Sequence, residues 1–372
     1  MNLPFADGLL YRYITGKARD PAASFEPKQL ASMRRVLLML TTGLGDAVLS
    51  SAVFPALRAA MPGAQIRLFC RSAWAPLFMS DPNLDAVVPY HGKYRRFFSS
   101  VAALRSFSPD LSVVLHGNDP DIIPLAYLAG SRYVLRVPTR GTRYEFLLAN
   151  RNRAEDANTM PGLHYVENRL RVLATLGIPA VSDTPTIHLD PGAVAKVSAA
   201  LDRRLQGAPY WVLHANAADP YKGWPSEKLG ELLNMARRHY SRHEVVLTGG
   251  SSEINSLRAL AGGIDGAHVV AGEFDVAGSA AVLAGAACVV APDTGILHLA
   301  AALDRPVIGL YAPTFSSMVG PRSRQSIPIV IQKPQTCDPC VEKKCPFTPR
   351  NCMDQIGPEE VFAALRKQLG DA

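Results

Sequence analysis

The run Asp293-Thr294-Gly295-Ile296-Leu297-His298 sets a carboxylate, a hydroxyl, a glycine and an imidazole between an apolar stretch, CVVAP, and a small-residue stretch, LAAAL. A strand that ends there and a helix that begins there would leave free backbone N–H groups and a positive helix end, a cradle for a diphosphate. Thr294 adds a hydroxyl donor, Gly295 lets a phosphate approach the backbone, and His298 lies one turn further along the same face. A second run, Gly43-Leu44-Gly45-Asp46, also follows an apolar stretch and resembles the start of a dinucleotide fingerprint. Val48 occupies the place of the third small residue, which disfavours NAD. The glycines still permit close backbone approach. Asp46 is then either the N-cap of the next helix or a general base that takes the proton of a hydroxyl, a poor nucleophile until deprotonated.

A third cluster, His214-Ala215-Asn216 followed by Lys222-Gly223-Trp224-Pro225, offers Asn216 as a polar ligand and Lys222 as a cation. Lys222 either neutralises charge on a departing phosphate or is a solvated loop lysine. Glu253, beyond Gly249-Gly250, has the reach to hold a ribose through two hydroxyls or to serve as a cap. Four of the six cysteines, Cys337, Cys340, Cys345 and Cys352, fall within 337–352. In a reducing compartment that spacing favours thiolate ligation of Zn or iron over disulfides, with free thiols as the alternative. Cys70 and Cys288 lie in apolar runs and read as core residues.

The elements that must position these groups alternate. Val36–Leu40, 66–70, 86–90, 111–116 and 132–137 read as strands separated by helical stretches, including a helix over 47–60 interrupted by Pro55. The pattern restarts beyond the region 181–192, with strands at 210–215, 243–250, 267–272, 288–293 and 306–311. Strand and helix alternation implies parallel sheets covered on both faces, in which ligands sit beyond the carboxyl ends of the strands. The expected organisation is an N-terminal extension over 1–33, one Rossmann-like domain over 34–194 and a second over 195–372. The extension carries Leu9, Leu10, Tyr11, Tyr13 and Ile14 among basic residues, and reads as a segment packed on the body, with a membrane-surface helix as the alternative.

A length of 372 residues suits two domains of roughly 100–200 residues. With 48% hydrophobic and 19% charged residues the chain can bury a core, which excludes a disordered class. No apolar run reaches the roughly 18 residues that span a bilayer, and the start lacks a secretory signal's apolar centre, so a cytoplasmic protein is expected. Residues 1–200 hold 22 Lys and Arg against 15 Asp and Glu, while 201–372 hold 17 of each, so the net +7 sits in the first half. That half suits an anionic partner or is simply a solvated basic face. Nucleic acid is disfavoured because no recognition motif accompanies the charge.

The stretches GLGDAVLSSAVFPALRAAMPGA, LHANAADPYKGWP and APDTGILHLAAALDRPVIGLYAPT together resemble family-nine glycosyltransferases, the ADP-heptose:lipopolysaccharide heptosyltransferases. The resemblance implies a GT-B fold, α/β with two doubly wound Rossmann-like domains facing across a cleft, and inverting transfer of heptose from ADP-heptose without a catalytic metal. By it, Asp46 matches the catalytic base and Lys222 the phosphate-binding lysine. Glu253 matches the ribose ligand, and Asp293, Thr294, Gly295 and His298 the donor diphosphate site. The acceptor would be an anionic glycan or glycolipid of the lipopolysaccharide core, met by the first domain at the inner membrane face. Related autotransporter heptosyltransferases bind iron through a similar cysteine cluster, which would here be structural. Asp119-Pro120-Asp121 looks like a metal-binding carboxylate pair but falls in the acceptor half. The rivals are a sugar-nucleotide epimerase or hydrolase on the same fold, and a non-catalytic nucleotide-sugar or membrane scaffold.

Overall fold

The computed structural model describes residues 3–18, 22–136, 143–151, 162–215, 217, 219–337, 340, 345–347 and 352–370. The chain divides into two compact units, Met1–Asp183 and Thr184–Ala372.

In the first unit β1 (Arg35–Leu40) is buried along its last five residues, because its apolar side chains point to both faces of a covered parallel sheet. The strands β1, β2 (Gln65–Arg71), β3 (Ala86–Tyr90), β4 (Leu111–His116) and β5 (Tyr133–Arg136) take the order β3-β2-β1-β4-β5, and every pairing is parallel. The N-terminal segment forms α1 (Leu3–Lys17), whose Ile14 is fully buried in a core with Tyr90, Leu104, Phe107 and Tyr144. Asp7 of α1 accepts a hydrogen bond from Tyr94 Oη at 2.8 Å and pairs with Arg143. The extension is therefore built into this unit.

The helix after β1 begins earlier than its sequence suggests. α2 (Leu44–Ser50) is capped by Gly43, which puts Asp46 in the first turn and not at the N-cap. A second segment, α3 (Val53–Ala60), follows at once. A single helix would require Pro55 to donate to the carbonyl four residues back, which proline cannot do. Restarting at Val53 puts Pro55 in a first turn, where no donor is needed. The helices α4 (Phe97–Phe107), α5 (Ile122–Leu128) and α6 (Tyr165–Leu176) complete the unit. α6 ends at Gly177, whose φ of +74° favours glycine, and a Cβ there would stand 2.7 Å from Pro27.

The second unit opens with α7 (Pro191–Leu205), started by Asp190, whose carboxylate accepts from the Ala193 N–H at 2.7 Å. Its strands are β6 (Tyr210–His214), β7 (Glu244–Thr248), β8 (Ala267–Val269), β9 (Val289–Pro292), β10 (Val307–Tyr311) and β11 (Ile329–Gln332). They form a parallel sheet in the order β11-β10-β9-β6-β7-β8. The half-buried edge strand β11 was not expected from the sequence, where its short run stands between prolines. Helices α8 (Ser226–His239), α9 (Ile254–Ala261), α10 (Val276–Ala284), α11 (Gly295–Ala302), α12 (Ser316–Val319) and α13 (Pro358–Leu369) accompany it. The C-terminal segment is tied in where Trp224 Nε1 donates to the Ile356 carbonyl at 3.1 Å and Tyr240 Oη to that of Gly370 at 2.6 Å.

Candidate active site

Each sheet reverses its winding once. In the first unit the chain moves outward from β1 through β3 and returns to β4 on the other side, so the loops after β1 and β4 diverge from a common gap. In the second unit the same reversal lies between β6 and β9. Such switch points form crevices at the carboxyl ends of parallel strands, and both hold the groups singled out in the sequence.

At the second switch point the loop after β6 delivers Lys222 and the end of β9 delivers Asp293. Lys222 Nζ donates to Asp293 Oδ2 at 2.7 Å. Thr314, three residues beyond Tyr311 at the end of β10, donates its hydroxyl to the same oxygen at 2.9 Å, and His298 Nε2 meets Oδ1 at 3.3 Å. Asp293 and His298 are buried. Burial pushes the Asp293 carboxyl up, but His298 and Lys222 outweigh it and hold it well below the usual carboxylate range. Thr314 was not singled out beforehand, although its place after a strand end was the available signal.

Thr294 is the N-cap of α11 by backbone geometry, yet its hydroxyl caps nothing and has no hydrogen-bond partner, and neither has His298 Nδ1. The first N–H groups of α11 have no intrahelical acceptor by construction. A site with the spare Thr294 hydroxyl and these N–H groups beside a lysine suits a phosphate. Glu253 lies in the loop after β7, with Oε2 accepting from the Gly250 N–H at 2.6 Å. A Cβ on Gly249 would stand 2.8 Å from that oxygen, so glycine lets the carboxylate fold over its own loop. His214 Nδ1 is hydrogen-bonded to Thr248 Oγ1 at 3.1 Å, and burial lowers its pKa to about 4, with Glu253 opposing. Asn216 lies outside the described residues.

At the first switch point Asp46 Oδ1 accepts from the Arg169 guanidinium at 3.1 Å and stands 3.7 Å from His116 Nδ1. Arg169, carried by α6, is 3% exposed, and His116 ends β4 with Nδ1 hydrogen-bonded to Thr42 Oγ1 at 2.8 Å. Burial, reinforced by Arg169 and Arg136, lowers the His116 pKa to about 4 against the opposing pull of Asp46, so the ring is neutral at neutral pH. Neither Arg169 nor His116 was anticipated. His116 occupied a strand end, whereas nothing in the sequence linked Arg169 to a loop 123 residues away. A Cβ on Gly43 would meet nothing within 4 Å, so its bare face adjoins open space beside Asp46.

Asp119 and Asp121 are not a free carboxylate pair. Asp121 accepts from Tyr90 Oη and the Tyr94 N–H, each at 2.8 Å, and Asp119 faces Arg71 at 3.6 Å and Lys93 at 3.7 Å. Cys70 and Cys288 are fully buried core thiols, and burial pushes Cys70 up to about 12. Cys337, Cys340, Cys345 and Cys352 are free thiols. Among the described residues no group of three or more His, Cys, Asp or Glu is arranged to hold a metal ion. Burial raises the Cys352 thiol further than its Thr336 hydrogen bond lowers it, and Cys340 and Cys345 add to the rise.

Two parallel doubly wound units, one with a lysine and spare donors at a helix start and the other with an oriented carboxylate, have the architecture of the GT-B fold. Residues 128–350, more than half of the chain, match the family described as glycosyltransferase family 9 (heptosyltransferase). The chain belongs to that family. It is 28% identical over 368 residues to lipopolysaccharide heptosyltransferase 1 of Pseudomonas aeruginosa, covering 90% of this chain and 98% of the relative. A family-nine glycosyl transferase structure from Veillonella parvula superposes with a TM-score of 0.74 at 18% identity, covering 90% and 97% of the two chains. The Escherichia coli heptosyltransferase WaaC with ADP gives 0.66 at 22% identity, covering 90% and 99%.

Proposed function

We propose that the second unit binds ADP-heptose and that Asp46 deprotonates a hydroxyl of a lipopolysaccharide-core acceptor, which displaces ADP with inversion. The observation that carries this reading is the Lys222, Asp293, His298 and Thr314 cluster at the start of α11. An anionic Asp293 repels a diphosphate, so its role is to organise: it holds Lys222 and His298, while the α11 N–H groups and the Thr294 hydroxyl meet the phosphate oxygens. Lys222 then balances charge that grows on the departing β-phosphate. Gly295 gives that phosphate access to the backbone, and Asn216 and Glu253 are assigned to the nucleoside, Glu253 through ribose hydroxyls. Gly43 and Gly45 keep the acceptor loop low beside Asp46. Arg169 orients the Asp46 carboxylate for proton transfer, with neutral His116 beside it.

The donor assignment draws support from relatives named lipopolysaccharide heptosyltransferases and from WaaC captured with ADP-2-deoxy-2-fluoro heptose. The decisive experiment follows thermal stabilisation by ADP- and UDP-sugars, then product formation with a supplied lipopolysaccharide-core acceptor. Stabilisation without transfer to any acceptor would favour a scaffold, and consumption of donor with water alone a hydrolase. A peripheral position at the inner membrane face draws support from the basic surplus of residues 1–200 and from exposed Leu9, Tyr13 and Phe98. No helix among the described residues is long and apolar enough to cross a membrane. A structural Zn or iron ion at the cysteine cluster draws support from the spacing of Cys337, Cys340, Cys345 and Cys352 alone, and takes no part in the transfer.

A further inference from the structure

Thr314 reaches Asp293 from the loop between β10 and α12, and a connecting loop is ordinarily the more mobile part of a parallel-sheet unit. This loop is held from outside. The Pro313 carbonyl accepts from Gln335 Nε2 at 2.7 Å and the Thr314 carbonyl from Gln332 Nε2 at 3.1 Å. The Ser316 N–H opens α12 and has no acceptor within that helix, and it donates to Gln332 Oε1 at 3.0 Å. Gln332 is exposed, so water could satisfy its amide without fixing the side chain. Instead the donor end and the acceptor end of that amide grip the loop on either side of Phe315.

The segment that carries the two glutamines is itself anchored. The Lys333 N–H donates to the Tyr311 carbonyl at 2.8 Å, which extends the bonding to β10 past the end of β11, and Lys333 Nζ pairs with Glu360 of α13 at 2.9 Å. The Pro334 carbonyl accepts from Gln355 Nε2 at 2.9 Å. Residues 332–335 are thus a strap fixed to β10, to α13 and to the segment before it. The loop they hold presents the Thr314 hydroxyl to Asp293 Oδ2, the same oxygen that takes Lys222 Nζ.

We propose that Gln332 and Gln335 are positioning residues of the donor site. They act through Thr314, whose hydroxyl fixes the Asp293 carboxylate, and through that carboxylate they aim Lys222. The proposal rests on the reading of the second unit as the donor side. Its test is calorimetric titration of ADP into the full chain carrying Gln332→Met, Gln335→Met, both together, Thr314→Val, and all three. The double variant and Thr314→Val should each weaken ADP by roughly three- to tenfold, the scale of one hydrogen bond. Residues that act through one hydroxyl are not additive, so the triple variant should bind within about twofold of Thr314→Val. Gln368, whose Nε2 donates to the Ile327 carbonyl at 2.9 Å ahead of β11, supplies the control for a general loss of stability. Gln368→Met should leave ADP affinity unchanged even where it lowers Tm. Wild-type affinity in the double variant would overturn the proposal, and so would multiplied losses in the triple variant or an equal loss in Gln368→Met. Gln332→Met alters an exposed side chain and carries the test alone, against Thr314→Val and their pair, should Gln335→Met fail to fold. Failure of ADP to bind the wild-type protein would instead overturn the donor reading, and the proposal with it.

Discussion

Replacing Asp293 with Asn separates two opposite roles for a buried carboxylate beside a phosphate site. If Asp293 were merely a negative charge near the donor, its neutralisation would relieve repulsion and tighten ADP binding. If it organises Lys222, His298 and Thr314, the variant loses the geometry and binds more weakly. The structure supports the second outcome, because the carboxylate is 6% exposed and takes contacts at 2.7, 2.9 and 3.3 Å. Removing one partner of a buried pair costs about 3–5 kcal/mol. Lys222 is 20% exposed and can recover some hydration, and Asn retains an acceptor for Thr314, so about 2–3 kcal/mol is expected. For a unit of this size that corresponds to a fall in Tm of about 4–12 °C. The pH dependence follows from the sign of the shift. The folded-state pKa lies below the ordinary value of 3.8, so the stabilisation is complete above that value and fades as pH falls through the lower folded value. The gap between wild type and Asp293→Asn should therefore be constant from pH 8 to 5 and close only in stronger acid. Scanning calorimetry measures the stability and ADP titration the affinity. Unchanged Tm together with equal or tighter ADP binding would refute the organising role.

Four further outcomes are expected. Asp46→Asn should bind ADP-heptose normally and lose about 100-fold or more in turnover, the scale of a general base, and a wild-type rate in a transfer assay would reduce Asp46 to a structural residue. Thr294→Ala and His298→Ala should each weaken ADP by roughly three- to tenfold in titrations, and unaltered affinity in both would locate the diphosphate elsewhere. His214 has a folded-state pKa of about 4 against 6.5, so its contribution is complete above pH 6.5 and declines toward pH 4. The fall is on the order of 2–3 kcal/mol after allowance for partial water access, and His214→Gln should flatten that limb in chemical denaturation at stepped pH. Elemental analysis of protein purified without metal-affinity resin should return about one equivalent of Zn or iron, lost in Cys340→Ser with a lower Tm. Less than about 0.2 equivalents with four titratable thiols would dismiss the metal.

Much of the fold was legible because parallel strands covered on both faces must be continuous apolar runs, as in Val36–Leu40. The same rule pointed to Asp46, Lys222 and Asp293, each just beyond a strand or in the loop it feeds. Helix starts were less legible. α2 begins at Leu44 because Gly43 can cap it, and Asp46 in the first turn satisfies the same dipole preference as at the cap. Arg169 could not be read at all. It sits on a helix among apolar residues, and only the packing of α6 makes it a partner of Asp46. β11 escaped because three half-buried residues and an exposed one at an edge leave a weak pattern.

The two switch points also bear on how the protein is made and kept. Lys222 and Asp293 are 71 residues apart, and Asp46 and Arg169 are 123 apart. Each pair meets only when distant parts of the chain close on one another, β6 beside β9 for Lys222 and Asp293, and such non-local closure is slow. The site therefore exists only where that closure has been made. A ligand that grips Lys222 and the start of α11 would bridge two segments far apart in the chain, so a bound donor would stabilise the second unit as well as supply the sugar.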